Sequence, residues 1–220
     1  MTTLTTAFPN FASIGLPLLF PVFGAHAALP VAIAIAVGSV TISPLTLALL
    51  ELHKVRKNGS AAEVLTARAF LIALRRSVSK PIFIGPMLGL ALALSGLQLP
   101  AIVGVALRPL ISATAGIGLF LTGLIVSAQT IRVETNVTLG ALTKNILQPL
   151  LVYGLVRLFS ISPAVGAQAV LLSAIPCGFF GLVFGASSGV RPTVAGSTLV
   201  ISSVASIVTL SIAIMLLVPH

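Results

Sequence analysis

Two short stretches of the chain gather the residue types that could hold a small polar molecule inside an apolar protein. In the first, Asn10, Ser13 and Gly15 lie between Pro9 and Pro17; in the second, Cys177, Gly178 and Gly181 follow Pro176. Proline lacks an N–H and clashes with the carbonyl four residues back, so Pro9, Pro17 and Pro176 are read as structural breaks in helices. A broken helix frees backbone N–H and C=O groups, and its N-terminal end carries about half a positive charge. Such an end suits a carboxylate without a buried lysine or arginine. That matters because Cys177 is the one ionisable side chain in the two stretches. Asn10 both donates and accepts, so it can hold a carboxylate, tie the two stretches together, or cap a helix start near the membrane surface. Gly15 and Gly181 permit close backbone approach, at a crossing or in ordinary helix packing. Cys177 is the only cysteine, which excludes an intramolecular disulfide and suggests no metal cluster; it is a small buried residue or a pocket-lining one.

The elements that position these residues repeat. Each stretch is followed by a Phe-Gly-Ala step, Phe23-Gly24-Ala25 and Phe184-Gly185-Ala186, then by a link to a proline, Pro30 or Pro192, and then by a long apolar run. Helix breakers at corresponding places in two halves point to a binding site built from discontinuous membrane helices. The alternative is that Pro and Gly simply kink membrane helices, where both are common.

Composition fixes the solvent. The 220 residues are 57% hydrophobic and only 7% charged, with a mean hydropathy of +1.19. Soluble domains carry about 25% charged residues, so the chain is an integral membrane protein, and its long non-alternating apolar runs favour helices over a β-barrel. The net charge of +9 does not indicate nucleic acid, because aromatic content is 5% and the basic residues lie between apolar spans. Topology and anionic lipid headgroups explain it better.

With about 20 apolar residues needed per crossing, the sequence predicts about seven transmembrane helices, at residues 4–23, 27–50, 81–98, 108–128, 136–159, 164–187 and 193–218. Residues 100–107 either begin the fourth span early or form a turn before a helix entered near Pro109. His53, Lys54, Arg56, Lys57, Asn58 and Gly59 read as a basic turn, and Ala61 to Val78 as an interfacial helix or a solvated linker. Residues 54–80 thus form a basic linker, expected to be cytoplasmic because of Lys54, Arg56, Lys57, Arg68, Arg75, Arg76 and Lys80. Arg132, Lys144 and Arg191 then share that side, with Arg157 and Arg108 opposite. The two broken stretches cross in opposite senses, as an inverted repeat requires. Lys144 and Arg157, near opposite ends of one span, are expected to snorkel to the headgroups. Gln98, Gln148, Tyr153 and Gln168 are weaker candidates, for which helix–helix hydrogen bonding is the commoner role.

The run from Ala7 to Leu19, with Pro9-Asn10-Phe11-Ala12-Ser13-Ile14-Gly15-Leu16-Pro17, resembles the fourth helix of the auxin efflux carrier family, which includes bacterial malonate transporters. Ile175 to Ala186 resembles its ninth helix, and Pro109 to Gln129, with Ala115-Gly116-Ile117-Gly118-Leu119-Phe120, its seventh. The resemblance implies an all-α membrane fold of two inverted five-helix repeats, similar to sodium/proton antiporters and bile-acid symporters, with crossed broken helices carrying the substrate site. It implies a secondary transporter of small organic anions such as dicarboxylates, in a bacterial inner membrane, and is compatible with a homodimer. The family's first three helices have no counterpart here. Residues 1–53 correspond to helices four and five of the first repeat, and 81–220 to the second repeat. A truncated, non-transporting fragment or half of a larger assembly is the alternative, and no polar residue of the family's third helix can be assigned.

Coupling is harder to place. Glu51, Glu63 and Glu134 all fall at or outside span ends, so no carboxylate is expected at membrane depth. Either the titrating group lies in the helices without counterpart here, or the membrane potential drives uniport, worth about 2.3 kcal/mol per monoanion for every ~100 mV. An intramembrane enzyme is disfavoured. His26, His53 and His220 lie near span ends, and no Ser/His or paired-Asp arrangement occurs at membrane depth. No cofactor is expected.

Overall fold

A computed structural model describes residues 9–57, 75, 79, 81–128, 130–179, 182 and 193–218. Among them the chain is helical, with one isolated antiparallel bridge between Pro9 and Cys177. A π-helical turn, Phe11–Gly15, continues into α1 (Leu16–Phe23); α2 is Ala28–Lys57, α3 Pro81–Leu94 and α4 Ala101–Ser127. Then come α5 (Thr135–Leu142), a second π-helical turn, Thr143–Leu147, α6 (Gln148–Leu158), α7 (Pro163–Ala174) and α8 (Thr193–Leu217). Among the described residues, three helical segments are long and apolar enough to cross a membrane: Ala101–Leu121, Thr135–Leu158 and Thr193–Leu217. Shorter apolar helices are Ser13–Phe23, Ala28–Ile42 and Pro163–Ala174.

Several boundaries differ from those expected. Of the two expected starts of the fourth span, the structure has the early one: α4 begins at Ala101 and carries Pro109 inside it, so the helix is not entered at Pro109. The third stops at Leu94, before a turn at Ser95 and Gly96, where φ is 68° at Gly96. The second runs on through Lys57, so Lys54, Arg56 and Lys57 form a last helical turn rather than a loop. Of the expected interfacial helix, only Arg75, which is exposed, is described.

Two compact units emerge. Residues 33–104 form one, holding most of α2 together with α3. The other joins residues up to Ala32 to those from Val105 onward, and so brings both broken stretches into one body. There, α8 packs along α5 and the second π-helical turn, and α6 along α7. Gly166 of α7 lies so close to Val156 of α6 that a methyl group would collide with the valine. In this unit Ser197, Thr198, Ser202, Asn145 and Lys144 are buried, whereas Leu110, Phe120, Leu150, Met215 and Leu216 are exposed. Leu19, Leu171, Ile175 and Leu199 are buried beside these polar groups; lipid tails solvate the outer leucines, while inside helices gain from close packing and hydrogen bonds.

Candidate functional site

Both π-helical turns sit just before an X-Pro pair, Leu16-Pro17 in one case and Gln148-Pro149 in the other. A proline in a continuing helix has no N–H to give and crowds the carbonyl four residues back. Widening the turn to an i→i+5 pattern relieves that crowding, and such bulges recur at functional sites.

The first π-helical turn opens at the bridge. The Asn10 N–H donates to the Pro176 carbonyl oxygen at 3.2 Å, and Pro9 pairs with Cys177. The two expected breaks therefore touch through their main chains, the N-terminal end of one helix meeting the residues just past the C-terminal end of α7. Asn10 stands at the N-cap position, yet its side chain makes no capping bond. It is 2% exposed, and its Oδ1 has no hydrogen-bond partner among the described residues. An orphaned amide oxygen inside a membrane protein is costly, and no capping bond offsets that cost here.

The remaining expected residues divide by place. Ser13 is buried against α4: a methyl group on Gly118 would collide with the Ser13 Oγ. Gly15 is buried on Val31, whose Cγ1 a methyl would meet at 3.0 Å, with Leu172 at 3.8 Å. This is close helix packing beside the bridge. Pro17 lies in the first turn of α1. Cys177 and Gly178 are buried at the second break, as is Pro176. Gly181 lies outside the described residues. Gln168, also buried within α7, has an Oε1 with no partner among the described residues.

The second π-helical turn overturns the expected place of Lys144. The lysine does not snorkel; it is fully buried, with Nζ donating to Gln148 Oε1 at 2.7 Å and to the Ser173 carbonyl oxygen at 2.6 Å. Ser173 lies in the last turn of α7, where carbonyls lack intrahelical partners and the dipole is negative. Next to it, Asn145 donates through Nδ2 to the Ser202 carbonyl at 2.8 Å and accepts the Ser202 hydroxyl at 2.6 Å. The same Ser202 Oγ accepts the Cys177 N–H at 3.1 Å. Two consecutive side chains thus hold both flanks of the break in α7, one directly and one through α8.

Lys144, Asn145, Ser202 and Gly118 were not among the expected site residues. For Lys144 the signal was present. Nine residues from Thr135, at about 1.5 Å per residue, put it roughly 14 Å inside its span, beyond easy reach of the headgroups.

A search of curated proteins finds no match to the chain. The family described as "Membrane transport protein" matches residues 1–214, nearly the whole chain. Joined to the motifs of the two broken stretches, that match makes this chain a member of the membrane transport protein family, the auxin efflux carriers.

Proposed function

We propose that the chain is a secondary transporter of small organic anions, dicarboxylates such as malonate among them, working by alternating access around the crossed stretches. The observation that carries this reading is Asn10, buried at a helix N-terminal end, hydrogen-bonded to the opposite break through its main chain and left with an unused side-chain oxygen. A helix N-terminus offers N–H groups and partial positive charge to a carboxylate. The Asn10 amide can turn its NH₂ to the same ligand or accept from a protonated one. Asn10, Ser13, Gly15, Cys177, Gly178 and Gly181 are the proposed substrate-binding residues, with Pro9, Pro17 and Pro176 shaping the crossover. In this reading residues 54–80, rich in lysine and arginine, face the cytoplasm of a bacterial inner membrane, as the positive-inside bias supports.

The test is uptake of radiolabelled malonate into proteoliposomes holding the purified chain. Saturable uptake that drops by at least about tenfold in Asn10→Ala supports the reading, a loss corresponding to about 1.4 kcal/mol. Saturable uptake equal in the variant and the wild type removes Asn10 from the site, and no uptake by the wild type removes malonate as a substrate.

A further inference from the structure

Ser202 is fully buried in α8, and the anion site described above does not include it. Its hydrogen bonds have only one consistent set of directions. The Ser202 carbonyl can only accept, so the Asn145 atom 2.8 Å from it is the NH₂ group. That turns Asn145 Oδ1, an acceptor only, to the Ser202 Oγ at 2.6 Å. The hydroxyl must therefore donate to Asn145, which leaves a lone pair for the Cys177 N–H at 3.1 Å. A side-chain amide can ordinarily flip and a hydroxyl rotate. Here a main-chain carbonyl at one end and a main-chain N–H at the other fix both.

The residue at the far end of this chain of bonds is held on a second side. Cys177 and Phe179 share an apolar cluster with Leu182 and with Ala195 and Leu199 of α8. Side chains two apart on extended backbone point the same way, so Cys177 and Phe179 turn together to α8. The Pro176 carbonyl instead meets the Asn10 N–H of the first stretch, at 3.2 Å. The second break is thus seated on α8 by an apolar cluster and one hydroxyl. The cluster has no preferred direction; the hydroxyl, aimed by Asn145, does.

We propose that Ser202 is a positioning residue for anion binding, a role that rests on the anion-transport reading above. Its hydroxyl fixes the Cys177 main chain, and with it the neighbouring Gly178 and the Pro176 carbonyl on which the Asn10 N–H rests. It does not contact the substrate. Binding groups work only when held to within about 0.5 Å of their place. Without the hydroxyl, a buried N–H at the break loses its acceptor, and such a group is costly enough to shift the segment that carries it.

Cys177 is the only cysteine, so alkylation of the purified protein by N-ethylmaleimide in detergent reads the break directly and needs no substrate. The wild-type thiol, buried in the cluster, should react slowly. Ser202→Ala should react at least about tenfold faster, well below its melting temperature, through local opening of the break. Ser202→Thr, which keeps the hydroxyl, should stay close to the wild-type rate. Ser206→Ala removes a hydroxyl that donates to the Ser203 carbonyl within α8, and it should leave the rate unchanged. Should Ser202→Ala not fold, Asn145→Ala is read in the same way, because it frees the Ser202 hydroxyl to turn its hydrogen toward the Cys177 N–H. Equal rates in wild type and Ser202→Ala, or equal acceleration by Ser206→Ala, overturn the proposal whatever the protein transports.

The second measurement is uptake of radiolabelled malonate into proteoliposomes. Ser202→Ala should raise KM by at least about tenfold and change the maximal rate by less than about threefold, with Ser202→Thr restoring KM. An unchanged KM beside faster alkylation overturns the proposal, since the break would then be held by Ser202 without consequence for the anion. No uptake by the wild type counts against malonate in the anion-transport reading instead, and the alkylation rates still decide whether Ser202 positions the break.

Discussion

The two π-helical turns have the same local cause and opposite outcomes. Each precedes an X-Pro pair, and each widens the helix where a proline would otherwise press on the preceding turn. At the second, the polar side chains are partnered: Lys144 holds Ser173 and Gln148, and Asn145 holds Ser202 from both ends of its amide. At the first, Asn10 is just as buried but keeps an oxygen without a partner. A satisfied amide in a membrane interior is a fastening. An unsatisfied one, at a helix N-terminal end beside a main-chain contact, is the group on which the anion-site proposal rests. Hydrogen-bond accounting alone thus sets the two asparagines of one unit apart.

The sharpest way to break that contrast is Asn10→Asp. A fixed negative charge at the proposed carboxylate site should lower malonate uptake by about a hundredfold or more, some 2.7 kcal/mol; uptake near the wild-type level would mean that the anion binds elsewhere. Next in size is Asn145→Ala. It strands the Ser202 carbonyl and hydroxyl, and it should cost about 1–3 kcal/mol of stability in a mixed-micelle unfolding titration. Asn10→Ala, which breaks no bond to Oδ1, should cost far less in the same titration; equal losses would erase the distinction drawn between the two.

Gly118→Ala sharpens the picture on the α4 side. The added methyl meets Ser13 Oγ, so the variant should lose about 1–2 kcal/mol. Ser13→Ala should recover part of that in the double variant; strictly additive losses would mean the two positions do not touch. The smallest expected effect is that of Pro149→Ala. The Asn145 and Lys144 bonds pin the second bulge independently of the proline, so stability should move by only about 0.5 kcal/mol. A loss of several kcal/mol would show that the proline, not the hydrogen bonds, holds the bulge open.

Much of the crossover could be read in the residues. Proline and glycine punctuate a helix through sterics and missing donors, effects that act within a few positions and so leave a visible local mark. Pro9, Pro176 and the asparagine between the first pair of prolines were found that way. What could not be read was which groups satisfy one another across helices. Ser202 looks like any small residue in an apolar span, and nothing nearby in sequence says that it joins Asn145 to Cys177. Gly118 likewise shows its purpose only when Ser13 is set against it. The start of α4 stayed between two readings for a different reason: a proline suits a helix entry as well as a helix that, as here, passes through it from Ala101.

The hydroxyl of Ser202 also sets a clock on biogenesis. It joins residues that precede it by 57 and 25 positions. At about 5–20 residues per second on the ribosome, several seconds separate the synthesis of Asn145 from that of the group it needs. Until α8 is delivered, the Asn145 amide and the Cys177 N–H lack this partner in the nascent chain. A pause in translation before α8 would leave both groups open to the cell's quality control.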